Sequence, residues 1–492
     1  MAFFAISDDF ALYTIAYHLS EWRMKRNLLN IRVTEEEKRG LKTESSRRRK
    51  AAAFCFSVLL AIGVVFSGFA ACGFGSAASY DAEDVQVSQD GVTFTCDFLD
   101  DGTAAVTKIV ADDGVTTVSV PSSLANNGKD YTVTGVKFPY GTKGSDVEQL
   151  ILPDTLQAMS GYYFWKLEKV KELTIPGSVT NFSCTLQNSD CLEKLTFSEG
   201  VEELSANMMV ANCGSLKEIV LPSTLKSISQ PGAFSDASAL ETINLPDGVE
   251  FGENVGGTFS DCSSLTSITL PASVTTIHSS MFKGCDSLTS ITAKGNIESI
   301  GSSAFSGCEA LTEVGLQGKL TSVGDSAFQN CSSLENAPDL SAVTKLGSYA
   351  FYNCKSLSCS VDLSSLSEIP GYAFCYAPVT VEKFSDSLET IGKWALIWAT
   401  IEDDLPVTLQ SIGDYAFFLC DLPETFAIPD SVTSVGTGAF EETEGVKEIT
   451  IGSGLTSISK DTFSESSVSK IVVNNSADNI SGTDNLPGSG VE

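Results

Sequence analysis

A phenylalanine, most often preceded by alanine, returns through the second half of the chain at nearly constant spacing. It falls at Phe234, Phe259, Phe282, Phe305, Phe328, Phe351 and Phe374, gives way to Leu396, and resumes at Phe417, Phe440 and Phe463. The steps are 25, 23, 23, 23, 23, 23, 22, 21, 23 and 23 residues. A unit of about 23 residues cannot enclose its own apolar side chains, but similar units stacked on one another can. The period therefore dictates a solenoid with one continuous core.

One unit reads in full from Leu265 to Ser287, LTSITLPASVTTIHSSMFKGCDS. Leu265, Ile268 and Leu270 form an LxxIxL pattern in which polar Ser267 and Thr269 alternate with buried positions, the signature of a short strand with one buried face. Pro271 lacks an N–H, so it ends ladder pairing and turns the chain. Val274 and Ile277 point inward again, and Phe282 and Cys285 close the coil. The same grammar recurs at Leu216–Pro222, Leu240–Pro246 and Val446–Ile451, and more weakly at 150–153, 173–176 and 195–197. From 147 to 473 there is room for about fourteen coils. Each Phe is expected to stack on the Phe of the next coil.

The LxxIxLP, SVTxI, IGxxAF and Cys-x-SL segments, recurring in one register over about two-thirds of the chain, resemble the BspA-type (Treponema-type) leucine-rich repeat family. The resemblance implies a repeat solenoid: a parallel β-sheet on one face, mostly loop and short helical turns on the other, and a small β-rich N-terminal cap. It also implies a surface-exposed or secreted protein associated with adhesion to host matrix proteins or to other microbes. The chain departs from the pattern where the proline is lost, near Gly295, Gln317 and Leu340, and where Trp394-Ala395-Leu396 replaces Ala-Phe. These read as degenerate coils rather than a new fold.

The ends read differently. Residues 1–50 are a cytoplasmic leader or basic n-region, closing on Arg47-Arg48-Arg49-Lys50. The uncharged run Ala51–Ala71 that follows is long enough to span a bilayer, and the basic flank keeps its N-terminal side inside, so the rest is exported. Residues 51–72 fit either a signal peptide or a retained anchor. Phe69-Ala70-Ala71-Cys72 resembles a lipobox with Phe in place of the usual aliphatic, which makes Cys72 a candidate lipidation site. Met24 is a second candidate start. Residues 80–140 read as strands split by Gly and Asp turns, a β-rich cap over the solenoid. Residues 474–492 are polar and Gly-rich and read as a disordered tail, in which Leu486–Gly490 resembles a sortase motif with Ser for Thr.

Charge narrows the partners. Residues 1–72 hold 11 of the 31 Lys+Arg and 7 of the 62 Asp+Glu, leaving the body 20 against 55, or −35. Such a body is repelled by phosphate backbones and by anionic lipid, so nucleic acid is excluded as a partner and the membrane is met only through residues 51–72. Of 14 Cys, Cys262, Cys285, Cys308, Cys331, Cys354 and Cys420 each lie three residues after the core aromatic, and Cys191 and Cys213 are read as earlier members. In-register side chains in neighbouring coils sit about 4.8 Å apart, too far for a disulfide's Cβ atoms. The column is expected to hold buried thiols that donate to corner carbonyls. Cys96, Cys184, Cys359 and Cys375 lie off the column and are the candidates for any disulfide.

No catalytic constellation is legible. Of two His, only His278 lies beyond the apolar run, and it replaces the Gly of an IGxx segment. No nucleotide, metal-protease or nucleophile-elbow motif is present, no cofactor or metal is implied, and Asp403-Asp404 and Glu441-Glu442-Glu444 read as solvated surface charge. The expectation is a binding protein, not an enzyme. Across the middle coils the outward positions of the strands are Thr266, Ser267, Thr269, Thr289, Ser290, Thr292, Thr312 and Glu313, an uncharged Thr/Ser patch flanked by mixed charge at both ends. This patch could hydrogen-bond glycans or an extended protein segment outside the cell; threonine is also simply a good strand former on a wet face. The alternative to an adhesin is a structural envelope protein that self-associates.

Overall fold

The computed structural model describes residues 80–137, 146–160, 169–253, 255–459, 461–474 and 481–482. Within them no helix forms, only a succession of strands and turns. The leader, the apolar run 51–72, Cys72 and Leu486–Gly490 lie outside the described residues. Among the described residues no helix is long and apolar enough to cross a membrane.

The N-terminal strands Tyr80–Gln89, Val92–Leu99 and Thr103–Ala111 pair antiparallel in sequence, and Lys129–Lys137 adds to them in parallel. The solenoid sheet starts inside this region. Thr117–Ser119 pairs in parallel with Gln149–Ile151, which pairs with Glu172–Ile175. The segment VTTVSVP around it carries the strand-then-proline grammar of the later coils, so it takes the place of a first rung.

Two parallel stacks then run along the body. The LxxIxL segments form one, with Ser267–Leu270, Ser290–Asn296 and Glu313–Gln317 as its middle rungs. Two-residue strands such as Thr276–Ile277, Ser299–Ile300 and Ser322–Val323 form the other. Where Pro271 follows the strand, pairing stops at Leu270; in the next two coils, without the proline, the strand continues to Asn296 and Gln317, while the coil of Leu340 forms no strand at this place. The difference follows from the missing N–H of proline.

The third side of each coil is a turn, and it too is hydrogen-bonded from coil to coil. The N–H groups of Phe282, Phe305 and Phe328 donate to the carbonyls of Ala304, Ala327 and Ala350, at 2.8, 2.8 and 2.7 Å. From Phe234 to Phe440, the residues two before and two after each core aromatic have left-handed backbone, as at Ser280 (φ 55°) and Gly284 (φ 71°). These two corners aim the aromatic into the core. The expected ring column is present. Successive rings from Phe234 to Phe374, and again from Phe417 to Phe463, stack with centroids 5.1–5.5 Å apart. Leu396 fills the same place between the two runs and is fully buried.

Two further columns share this spacing. Cys262, Cys285, Cys308, Cys331 and Cys354 are buried, and each thiol donates to the carbonyl of the Phe one coil back, at 3.0–3.2 Å. Cys420 does the same to Leu396 at 2.9 Å. Cys213 donates to Leu186, but Cys191 is exposed and does not belong to the column. The coil of Cys191 is offset, and Leu186 takes the backbone position that a core aromatic holds elsewhere. Among the described residues no disulfide forms; Cys96, Cys184 and Cys375 are buried and Cys359 half-buried. The glycines of the IGxx segments form the other column. A Cβ on Gly324 would lie 2.5 Å from the Ser302 nitrogen, and one on Gly347 2.2 Å from the Asp325 nitrogen. Glycine is required there because adjacent backbones approach too closely for any side chain.

Two outcomes are expected. Replacing one core ring, Phe305→Ala, removes contacts with both neighbours and should cost about 3–5 kcal/mol, measured by urea unfolding. Burial pushes the Cys262, Cys308 and Cys354 thiols from an ordinary 9.0 up to about 12. A folded-state value above the unfolded one gives stability that is complete below pH 9 and is lost as pH rises towards about 12. Unfolding midpoints should therefore fall across that window, and Cys308→Ala should flatten part of the fall.

Candidate interaction surface

The outward residues of the middle coils come together as one surface. Ser267, Ser290 and Glu313 stand in one row across three rungs, and Thr269 and Thr292 in the next, which ends on Gly315. Thr266, Thr289 and Thr312 precede the strands in a third row, and all eight side chains are exposed or, for Ser290, half-buried. The hydroxyls of the third row are committed. Thr289 donates to the Thr266 carbonyl at 3.0 Å and Thr312 to the Thr289 carbonyl at 3.1 Å, while Thr266 reaches the Glu241 carbonyl at 3.4 Å. These hydroxyls can still accept hydrogen bonds, but donation from this face to a ligand falls to Ser267, Thr269, Ser290 and Thr292.

The charged positions on either side pair across coils. Lys194 meets Glu218 at 2.9 Å, Lys217 meets Glu193 at 3.9 Å, Lys470 meets Glu448 at 3.3 Å, and Lys447 meets Glu424. All are exposed ion pairs, worth about 0–1 kcal/mol each. Their effect is to mute charge on the flanks of the patch, not to hold the coils together.

His278 is half-buried, and burial alone lowers its pKa. Its ring lies 6.5 Å from that of Phe251. It stands at a rung where the two-residue strands Glu250–Phe251 and Thr276–Ile277 do not pair, one coil before the close approach at Gly301, and a side chain is accommodated there. Asp190, Asp236 and Asp261 line an open depression on the turn side, where burial and Asp261 raise the Asp236 carboxyl. Among the described residues no group of three or more His, Cys, Asp and Glu is arranged to hold a metal ion.

The turn side carries a feature that the strand pattern hides. The left-handed position before the core aromatic is Ser280, Ser303 and Ser326 in three consecutive coils, then Tyr349, Tyr372, Trp394 and Tyr415 in the next four. Their rings stack at 4.5, 6.3 and 4.5 Å. Beside them Tyr352, Tyr376 and Trp398 make edge-to-face contacts at 6.1 and 5.0 Å. Reading only the inward positions of each unit passes over these residues; the spacing of 23, 22 and 21 between aromatics in an outward column is the signal that finds them.

Residues 140–255, 253–380 and 367–483 match the BspA type leucine rich repeat region. In structure the chain is similar to a leucine-rich repeat protein from Bacteroides ovatus, with 23% identity and a TM-score of 0.53 over 74% of this chain and 94% of that one. A leucine rich cell surface protein from Faecalibacterium prausnitzii aligns over 81% of this chain and 97% of its own, at 17% identity and a TM-score of 0.35. The pneumococcal vaccine antigen PcpA aligns over 80% and 89%, at 19% identity and a TM-score of 0.28. Among curated protein sequences none matches. With the repeat region matched over more than half its length, and the stacked coils in place, the chain belongs to the BspA-type leucine-rich repeat family.

Proposed function

We propose that the protein is a non-enzymatic binding scaffold displayed at the cell surface or secreted, an adhesin for host matrix proteins, glycans or other cells. The observation that carries this reading is the pair of outward hydroxyl rows, Ser267 with Ser290 and Thr269 with Thr292, presented at rung spacing by a core that uses only the inward positions. A solenoid repeats one outward position many times, so weak contacts at each rung add through effective concentration. Export through residues 51–72, with or without lipidation of Cys72, would place this surface outside the cell. Description of the Faecalibacterium neighbour as a cell surface protein agrees with that placement. Fold alone does not decide function, so the test is of binding.

The whole chain, applied to arrays of extracellular matrix proteins and glycans, should bind at least one class and lose roughly tenfold in affinity when Thr269 and Thr292 are both replaced by Ala. No binding on either array, together with concentration-dependent assembly of the chain with itself in sedimentation, would replace this reading with that of a self-associating envelope protein.

A further inference from the structure

The aromatics on the turn side, Tyr349 exposed and Tyr372, Trp394 and Tyr415 half-buried, are costly where they stand. Left-handed backbone is uncommon for any residue with a Cβ and an outlier for a bulky one. Yet Tyr349, Tyr372, Trp394 and Tyr415 adopt φ of 59°, 61°, 57° and 53°. The same corner is served by serine in the coils of Phe282, Phe305 and Phe328, and by Gly438 one coil further on. The fold does not require rings there. Strain held at a surface position points to function. Tyr349 is 36% and Trp398 40% exposed, and Tyr and Trp are the side chains most enriched at binding hot spots.

The surroundings specify the partner's charge. Between residues 349 and 465 the chain has 5 Lys against 18 Asp+Glu. The ring column also runs directly into carboxylates. A Cβ on Gly438, the next member of the column, would lie 2.4 Å from the Tyr415 ring and 2.7 Å from a Glu441 carboxylate oxygen, so ring and carboxylate share one corner. Burial, and after it the charges of Asp461, Glu442 and Glu465, raise the Glu441 carboxyl above the ordinary range.

The rings themselves already seat a cation. The Lys393 ammonium lies 5.5 Å from the centre of the Tyr372 ring, beside the Tyr372–Trp394 step, where the stack opens to 6.3 Å. A slender cationic stem therefore reaches a ring face in this column. A sugar needs a broad open face, and the closed 4.5 Å steps from Tyr349 to Tyr372 and from Trp394 to Tyr415 leave none between those rings.

We propose that the column from Tyr349 to Tyr415, with the carboxylates of Glu441 and Glu442 at its end, docks an extended Lys- or Arg-bearing segment of another protein. Three rung steps span about 15 Å, the length of four or five residues of extended chain. Cationic side chains lie against ring faces and edges, and the terminal carboxylates pair with one of them. The inference rests on the reading of the chain as a binding scaffold and adds a protein-docking site on the turn face to the hydroxyl rows of the strand face.

The test uses a short fluorescent peptide alternating Arg and Ser, its Glu–Ser counterpart, and a β-linked glucose oligosaccharide, each titrated against the whole chain. The Arg peptide should bind, and the other two should not. Exchanging Tyr349, Tyr372, Trp394 and Tyr415 for Ser, the residue the fold already accepts at this corner, should weaken it roughly tenfold or more while circular dichroism and the thermal midpoint hold. Glu441→Gln with Glu442→Gln should weaken it too and reduce its salt dependence. Equal affinity in the serine variant, equal binding of the Glu peptide, or saturation by the oligosaccharide instead of the Arg peptide would overturn the proposal. So would ladder-dependent self-association without peptide binding. If the arrays still bind the serine variant in full, the scaffold reading stands and only this site falls; if neither array nor peptide binds, both fall.

Discussion

Parallel backbone pairing sets neighbouring coils about 4.8 Å apart, and this one distance selects the residues of every column. An aromatic ring is thinner than the rung spacing, so the core rings do not stack face to face at full overlap but slip into offset stacks with centroid separations of 5.1–5.5 Å. A thiol at the next column is small enough to repeat at that spacing without bonding to its neighbour, and its proton reaches the carbonyl one coil back. At the glycine column the spacing admits no side chain at all. Phe, Cys and Gly thus recur for three different reasons that share one cause.

Because each coil rests only on its neighbours, a departure in one unit is absorbed locally. Leu396 fills a ring position and the stack resumes at Phe417. Loss of proline after Ala293 lengthens a strand rather than ending the array. His278 enters the glycine register at a rung where the two-residue strands of neighbouring coils do not pair. A globular core, in which each side chain touches many distant segments, would spread such changes further.

Inward columns are therefore constrained and outward columns are free to vary. On the strand side the outward residues are hydroxyls, three of which the fold itself uses to tie one coil to the next. On the turn side four coils exchange serine for aromatic rings at a strained corner and pass into a run of carboxylates. Both are surfaces laid on the same scaffold, and neither alters the packing beneath it.

The period of the core aromatic, the LxxIxL alternation and the proline stop were legible in the sequence, because burial on one face and a missing N–H act over a few residues. The thiol column followed from the same register, although Cys191 misled, since an offset coil moves a residue out of the column without changing its local context. The start of the sheet at Thr117–Ser119 and the commitment of the threonine hydroxyls depend on which backbone lies across from which, a fact no single unit contains. So does the aromatic column on the turn side: its members are about a coil's length apart in sequence and become neighbours only when the coils stack. Sequence determined what each unit must bury; stacking decided which outward side chains stand together.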